Sequence, residues 1–573
     1  MDLPDHSVMM AGLDSWPNES RLEEIHENRL CHKLRVQTGV TSPRLYAPPV
    51  EKDPFASKPI GIGIIRFPLW FLVLEPFTKD ISQIRSRRLV HGKNLDEKTG
   101  KFDGNRVVPI RFVAACPKGH IEDIDWRRFV HPEGDDCRRQ LWLDETGTTG
   151  DLSDLTVRCD CGAKRQLLDA TEIEARPLGT CRGKRPWISP DNSESCQDPL
   201  RLVIRTASNT YFPQVLSVLS IPERGEEIDK IVSELWGELE MVENENELKF
   251  CMKRENVRKL LEPYAEKEIL TAIEKHREGG KTTDSVKKAE LATLLSVPEG
   301  FGDDVPINQN FHARRLPKAS WDKSPQTKLV ANVIQVHRLR SVSALAGFTR
   351  LEPSMPDIHG EFETDVAVAQ LAQDPSWFPA VENRGEGIML ILKNSAVENW
   401  LKVPAVAARS RELATGFQLW AEKRKAKIEF PQAPYVLLHT LSHLLIHSLA
   451  LRCGYPGSSL RERIYVEDGH YGLLIYTASS DAEGTLGGLV SQARTIDQHL
   501  DYALRLGSLC SNDPICAHHA PSDSLEQRWL HGSACHGCVL ISETSCEMRN
   551  DFLDRSLVVP TLGKEESAFF RLR

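Results

Sequence analysis

The residues with the most evident chemistry are cysteines and histidines, and they come in clusters. Of 14 cysteines, Cys31, Cys251 and Cys453 stand alone, while the other eleven fall between 116 and 196 or between 510 and 546. The start, Met1-Asp-Leu-Pro-Asp5, is acidic and has no hydrophobic signal core, which predicts a cytoplasmic protein. Stable disulfides are disfavoured in a reducing compartment, so clustered cysteines there read as metal ligands.

Three sets have the composition of structural zinc sites, which take thiolate and imidazole ligands in a tetrahedron. The first is Cys116-Pro-Lys-Gly-His120 followed by His131 and Cys137, where the glycine allows a tight turn to present Cys116 and His120 together. Its alternative is a buried cysteine beside satisfied histidines. The second is Cys159-Asp-Cys161-Gly162 with Cys181 and Cys196, a knuckle followed by an unusually long second spacing. The third offers Cys510, Cys516, Cys535, Cys538 and Cys546; the Cys-x-x-Cys pair at 535 and 538 suits two thiolates on one ion. Four ligands are needed, so one of these five is spare; the sequence does not say which, and favours Cys546 or Cys510. Each set is closed by protein ligands, whereas a catalytic zinc keeps a position for water. The expectation is about three zinc ions per chain, contributing folding free energy rather than chemistry.

Two further constellations are open to a catalytic reading. His439, His443 and His447 recur every fourth residue on a helix that opens at Pro434 and ends near Gly454, so they share one stripe, opposite a leucine-rich face. A zinc protease would carry Glu after the first histidine, and Thr440 stands there. The stripe is a structural or interface feature, or else a metal or catalytic one. Asp481 and Glu483 sit in a glycine-rich turn after a strand and are either plain turn residues or ligand contacts. Together His439, His443, His447 and Asp481 define the alternative reading, a zinc-dependent hydrolase or nuclease. Gly279-Gly-Lys-Thr282 echoes a P-loop, but the required earlier glycine is Lys275 and Glu274–Glu278 is polar instead of an apolar strand. No ATPase motif is legible.

The elements that must hold these residues predict an α+β, multidomain protein, since 573 residues exceed a single core at roughly 100–200 residues per domain. Composition shifts suggest a mixed region at 1–110, a Cys/His-rich zinc-binding region at 111–222 and a charged helical region at 223–324. A mixed α/β region at 325–430 and a C-terminal α/β domain with its cysteine cluster at 431–573 complete the expected order. The most apolar run noted, Phe67–Leu74, is far short of the roughly 20 residues that span a bilayer. Net charge is −9, so no global basic field points to nucleic acid. Local basic runs supply candidate phosphate contacts at Arg85, Arg87, Arg88, Arg314, Arg315, Arg338, Arg340, Lys423, Arg424 and Lys425, each equally readable as solvated surface.

Two stretches resemble a known family. Leu438-His-Thr-Leu-Ser-His443, Gly454-Tyr455, Ser459–Tyr465, Leu474-Ile-Tyr476, Gly487-Gly-Leu489, Ala534-Cys-His-Gly-Cys538, Glu543-Thr-Ser-Cys546 and Asn550–Arg555 resemble the cysteine-bearing domain at the C-termini of some DNA-repair helicases. That domain stands apart from a motor in the DrmB family, the accessory subunits of the DISARM anti-phage system. Arg111–Cys116, Gly119–Trp126, His131, Cys159-Asp-Cys-Gly162, Ala207-Ser-Asn209 and Tyr211-Phe-Pro213 resemble the same family's N-terminal metal region. One departure is that Arg66-Phe-Pro-Leu-Trp70 continues as Phe71–Leu74, without the Cys-x-x-Cys that relatives often carry there. The resemblance implies a non-catalytic accessory subunit that partners a helicase resembling DrmA and meets DNA through that complex, with no membrane contact.

Overall fold

The computed structural model describes residues 2–572 apart from 4–5, 52–59, 75–83, 135, 148–149, 222–227, 229–230, 233, 263, 278–284, 303–305, 307–309, 360–366, 478–487 and 524–525. The Gly279–Thr282 segment and the turn with Asp481 and Glu483 lie outside the described residues. The architecture is α+β with two compact units. Unit 1 comprises 1–216, 343–355 and 362–381; unit 2 comprises 217–342, 356–361 and 382–573. The segments 1–110 and most of 111–222 thus fall in unit 1, while 431–573 falls wholly in unit 2.

Unit 1 is built on a six-stranded antiparallel sheet, in the order Lys164–Gln166, Leu155–Cys159, Leu141–Glu145, Arg85–His91, Trp70–Leu74, Arg106–Pro109. The strand Leu155–Cys159 shows why the sequence folds this way. Leu155, Val157 and Cys159 alternate inward while Thr156 and Arg158 face out, the period-two pattern of a half-buried strand. On the outer face Arg158 bonds Asp144 at 2.7 Å across the pair and stacks over Trp142. The inner face packs against Phe112, Trp126 and Phe129, and Cys116, Cys159, Cys181 and Cys196 belong to that same core. A three-stranded sheet orders Arg201–Ile204, Phe112–Ala115 and Ile121–Glu122, with Ala115 opposite Arg201.

Unit 2 centres on the 22-residue helix Gln432–Cys453, capped by Gly454 at φ +72°. Its sequence predicts one core face; the structure buries it almost all round, His439, Thr440, Ser442 and His443 included. By length and composition this helix could cross a membrane, which the shorter run at 67–74 could not. Of its most apolar window 72% is buried inside the protein, as in a core helix of a globular fold. Beside it lies the hairpin Leu460–Glu467 and His470–Thr477, with Asp468 and Gly469 both at positive φ in its two-residue turn. The hairpin pairs onward with Trp377–Leu392, Tyr476 lying opposite Gly387.

The charged helical region has its own small core of Val232, Leu239, Leu248, Val257, Leu261, Ile269 and Ile273. Its last helix, Val286–Leu295, is tied to the hairpin by charge. Buried Glu290 accepts from Arg463 at 2.7 and 2.9 Å, from the Tyr465 hydroxyl at 3.1 Å and from the Leu219 amide at 3.1 Å. Lys287, also buried, reaches Glu547 at 2.8 Å. Removing one partner of a buried pair leaves the other charge uncompensated, at a cost of about 3 kcal/mol or more. Glu290→Gln is therefore expected to lower the unfolding transition of the full chain clearly in thermal or urea denaturation. Unfolding indistinguishable from wild type would show that this pair does not anchor the helix.

Candidate metal centres

The structure gathers the N-terminal ligands differently from their order along the chain. One centre is Cys116, His120, Cys181 and Cys196; the other is His131, Cys137, Cys159 and Cys161. The sequence grouping placed Cys116 and His120 with His131 and Cys137, and that grouping is corrected here. The physical reason is strand pairing. Ala115 opposite Arg201 brings Cys196 beside Cys116, at 4.0 Å between sulfurs. Leu141 opposite Cys159 brings Cys137 within 3.6 Å of Cys159.

In the first centre the Cys116–His120 turn closes through the Gly119 amide donating to the Cys116 carbonyl at 3.0 Å, with Gly119 at φ +84°. A β-carbon there would come within 2.7 Å of Ala369, so glycine is required on both counts. His120 turns Nδ1 toward Cys116 and Cys181, at 3.3 and 3.5 Å, while its Nε2 meets Glu194 at 2.8 Å. A carboxylate behind a ligating imidazole fixes its tautomer and orientation. Hydrogen bonding from Cys181 lowers the Cys116 thiol to about 4, while Cys116 and burial push the Cys181 thiol up.

In the second centre the Cys159–Gly162 knuckle is a turn in which the Gly162 amide donates to the Cys159 carbonyl at 2.9 Å, with Gly162 at φ +103°. His131 donates Nδ1–H to the Arg127 carbonyl at 2.9 Å and points Nε2 at Cys161, 3.1 Å away. That histidine pulls the Cys161 thiol down to about 6.

The third centre unites Cys510, Cys516, Cys535 and Cys538. The sulfur separations are 3.4 Å for 510–535, 3.8 Å for 516–538 and 3.7 Å for 535–538. Four thiolates at ~2.3 Å from a tetrahedral zinc lie ~3.8 Å apart, so this spacing fits that ion. It is far beyond the ~2.05 Å of a disulfide, and every described cysteine is free. The spare cysteine is Cys546, and Cys510 is a member of the set. The Asn512 side-chain amide donates to Cys535 at 3.3 Å, and the Cys538 thiol together with nearby Arg555 holds Cys516 down to about 5.

The histidine stripe divides. His439 and His443 are fully buried and converge with Glu462 and Cys546, a grouping the sequence reading missed. His447, one turn on, is only partly buried and stands apart from them. Thr440, at the position a zinc protease fills with Glu, accepts the Asp554 amide at 2.9 Å.

Comparison with known proteins places these centres. Residues 1–212 match DUF8724, a domain of unknown function, and residues 441–539 match the MrfA Zn-binding domain. Over 486 residues, 81% of this chain and 82% of the relative, the sequence is 30% identical to DISARM protein DrmB of Bacillus paralicheniformis. The chain belongs to the DrmB family. The first two centres lie inside the DUF8724 match, and the four-cysteine centre lies inside the MrfA Zn-binding match. The domain match and the tetrahedral thiol spacing together support zinc as a cofactor of this DrmB-family chain.

The ten basic candidates have unequal surroundings. Arg340 is buried and bonded to Glu382 at 2.7 Å, which neutralises it. Arg88 pairs with Asp103 at 2.9 Å; Arg87 and Arg315 lie 3.7 Å from Glu145 and Glu299. Arg314 and Arg338 are half-buried on paired strands, and Arg424 stacks over Trp420. Arg85, Lys423 and Lys425 are exposed.

The two N-terminal centres can be told apart by counting zinc in double variants. His131→Ala with Cys161→Ala should remove one ion per chain, because both serve the same centre. Cys116→Ala with His131→Ala should remove two. Elemental analysis of protein purified without chelator checks this, and the reverse pattern would restore the grouping by sequence order.

Proposed function

We propose that this chain is a non-catalytic, zinc-stabilised subunit of a cytoplasmic anti-phage defence complex, in which it partners a DNA helicase resembling DrmA. The observation carrying this reading is the 30% identity to DISARM protein DrmB across four-fifths of both chains. The matched module at 441–539 adds to it, because that domain is named as zinc-binding. On this reading the three Cys/His centres hold about three zinc ions that stabilise the fold, and the partner supplies the motor.

The hydrolase alternative asks for a water-accessible metal at His439, His443 and His447. His439 and His443 are wholly buried and already faced by Glu462 and Cys546, and a catalytic zinc keeps an open position. The accessory reading is therefore preferred.

Tagged full-length chain, expressed from its own defence locus, should recover the helicase in comparable amount, and deleting the chain should restore plaque formation by phage. Recovery of the chain alone at low salt, with protection unchanged by its deletion, would contradict the proposal. DNA engagement is tested separately. Charge reversal at exposed Lys423 and Lys425 should weaken DNA binding by the complex and reduce the log–log salt slope by about 2, since each phosphate contact releases roughly one counterion. An unchanged slope would remove this end of the Pro404–Arg424 helix from the DNA path.

A further inference from the structure

The group at the middle of the buried helix has the donors, tautomers and charge of a fourth metal site. His439 Nε2 lies 3.0 Å from Glu462 Oε1 and 3.1 Å from Cys546 Sγ, and His443 Nε2 lies 3.3 Å from Glu462 Oε1. All four ligand atoms lie within 4.8 Å of one another. A tetrahedral zinc would set N···O pairs ~3.3 Å and N···S pairs ~3.6 Å apart. The donors come from three elements: the helix supplies both histidines one turn apart, the strand Leu460–Glu467 supplies Glu462, and the turn after 542 supplies Cys546.

The hydrogen bonds behind the donors fix their chemical state. His439 Nδ1 faces the Phe552 carbonyl at 3.3 Å and His443 Nδ1 faces the Val539 carbonyl at 3.1 Å. A carbonyl only accepts, so both Nδ1 atoms carry hydrogen, and in a neutral ring Nε2 is then a bare lone pair. Both lone pairs aim at a carboxylate oxygen. Glu462 takes the Glu547 amide on Oε1 at 3.1 Å and the Ser442 hydroxyl on Oε2, as an ionised carboxylate does. Cys546 Sγ takes the amides of Met548 at 3.3 Å and Asn550 at 3.1 Å, two donors that favour a thiolate against the burial and the Glu462 charge that push its thiol up.

Neutral imidazoles, a carboxylate and a thiolate sum to two negative charges, which one divalent cation balances. The competing state holds two protons in place of the cation, one on the Cys546 sulfur and one on an imidazole whose Nε2 then donates to Glu462. We infer that His439, His443, Glu462 and Cys546 bind a fourth divalent cation, of zinc character from its imidazole and thiolate donors. The MrfA Zn-binding match spans 441–539, so His439 and Cys546 lie outside it and the site is separate from the four-cysteine centre. Four protein donors make it closed and structural. It pins the centre of the helix to the hairpin and to the chain just beyond Cys538.

The full chain, purified without chelator, should lose one ion on Cys546→Ser by elemental analysis while the other centres keep theirs. An unchanged metal content in a soluble Cys546→Ser variant would overturn the proposal in favour of the metal-free, proton-held cluster. Should that variant be insoluble, cadmium-113 NMR of the cadmium-substituted wild-type chain decides. A resonance upfield of the sulfur-rich centres, from an ion with a single thiolate, is expected; sulfur-rich resonances alone would overturn it. Neither outcome depends on the helicase partnership.

Discussion

Sulfur and imidazole lone pairs brought together in a protein interior repel one another and have lost their water, and a shared cation turns that cost into a crosslink. In unit 1 this constraint decides the fold. The core holding Cys116, Cys159, Cys181 and Cys196 is assembled from short strands and long irregular stretches, and a sheet of such strands has little burial with which to offset chain entropy. Each centre adds a crosslink between segments far apart in the chain: the 116–120 turn to the loop bearing Cys181 and Cys196, and the 131–137 loop to the knuckle at 159–161.

Unit 2 places the same device in a different setting. Its helix Gln432–Cys453 is buried almost all round over its first four turns, so polar groups there must be satisfied by neighbours rather than by solvent. Thr440 receives the Asp554 amide, Asp554 in turn binds Arg409 at 2.6 Å, and His443 reaches the carbonyl of Val539, one residue past the ligand Cys538. Glu547 links these groups outward, donating its amide to Glu462 and accepting from Lys287. The C-terminal cysteine module is thus continuous through hydrogen bonds with the helix and hairpin.

Much of this was legible in the sequence, and the remainder was hidden for physical reasons. Cys535 and Cys538, Cys159 and Cys161, and Cys116 and His120 are close in the chain, so local turns alone make them ligand pairs. Which pairs share an ion depends on sheet register across distances such as Cys116 to Cys196, and spacing carries no register. Glu462 sits in the run Arg461-Glu-Arg463, whose charges give no sign in the sequence of burial, yet both Glu462 and Arg463 are buried against partners on other elements. The same effect removed Arg340 from the basic surface, since Glu382 neutralises it from a strand far along the chain. The helix was expected to have one apolar face; its second face was polar in type but equally buried, which only tertiary packing reveals.

Zinc crosslinking within the cysteine clusters of the two units is tested most directly by where the metal ions lie. Crystals of the full chain, measured on either side of the zinc absorption edge, would locate them without any variant. Zinc at the three centres predicts anomalous peaks amid Cys116/His120/Cys181/Cys196, His131/Cys137/Cys159/Cys161 and Cys510/Cys516/Cys535/Cys538. A map without peaks at these positions, from protein never exposed to chelator, would contradict it.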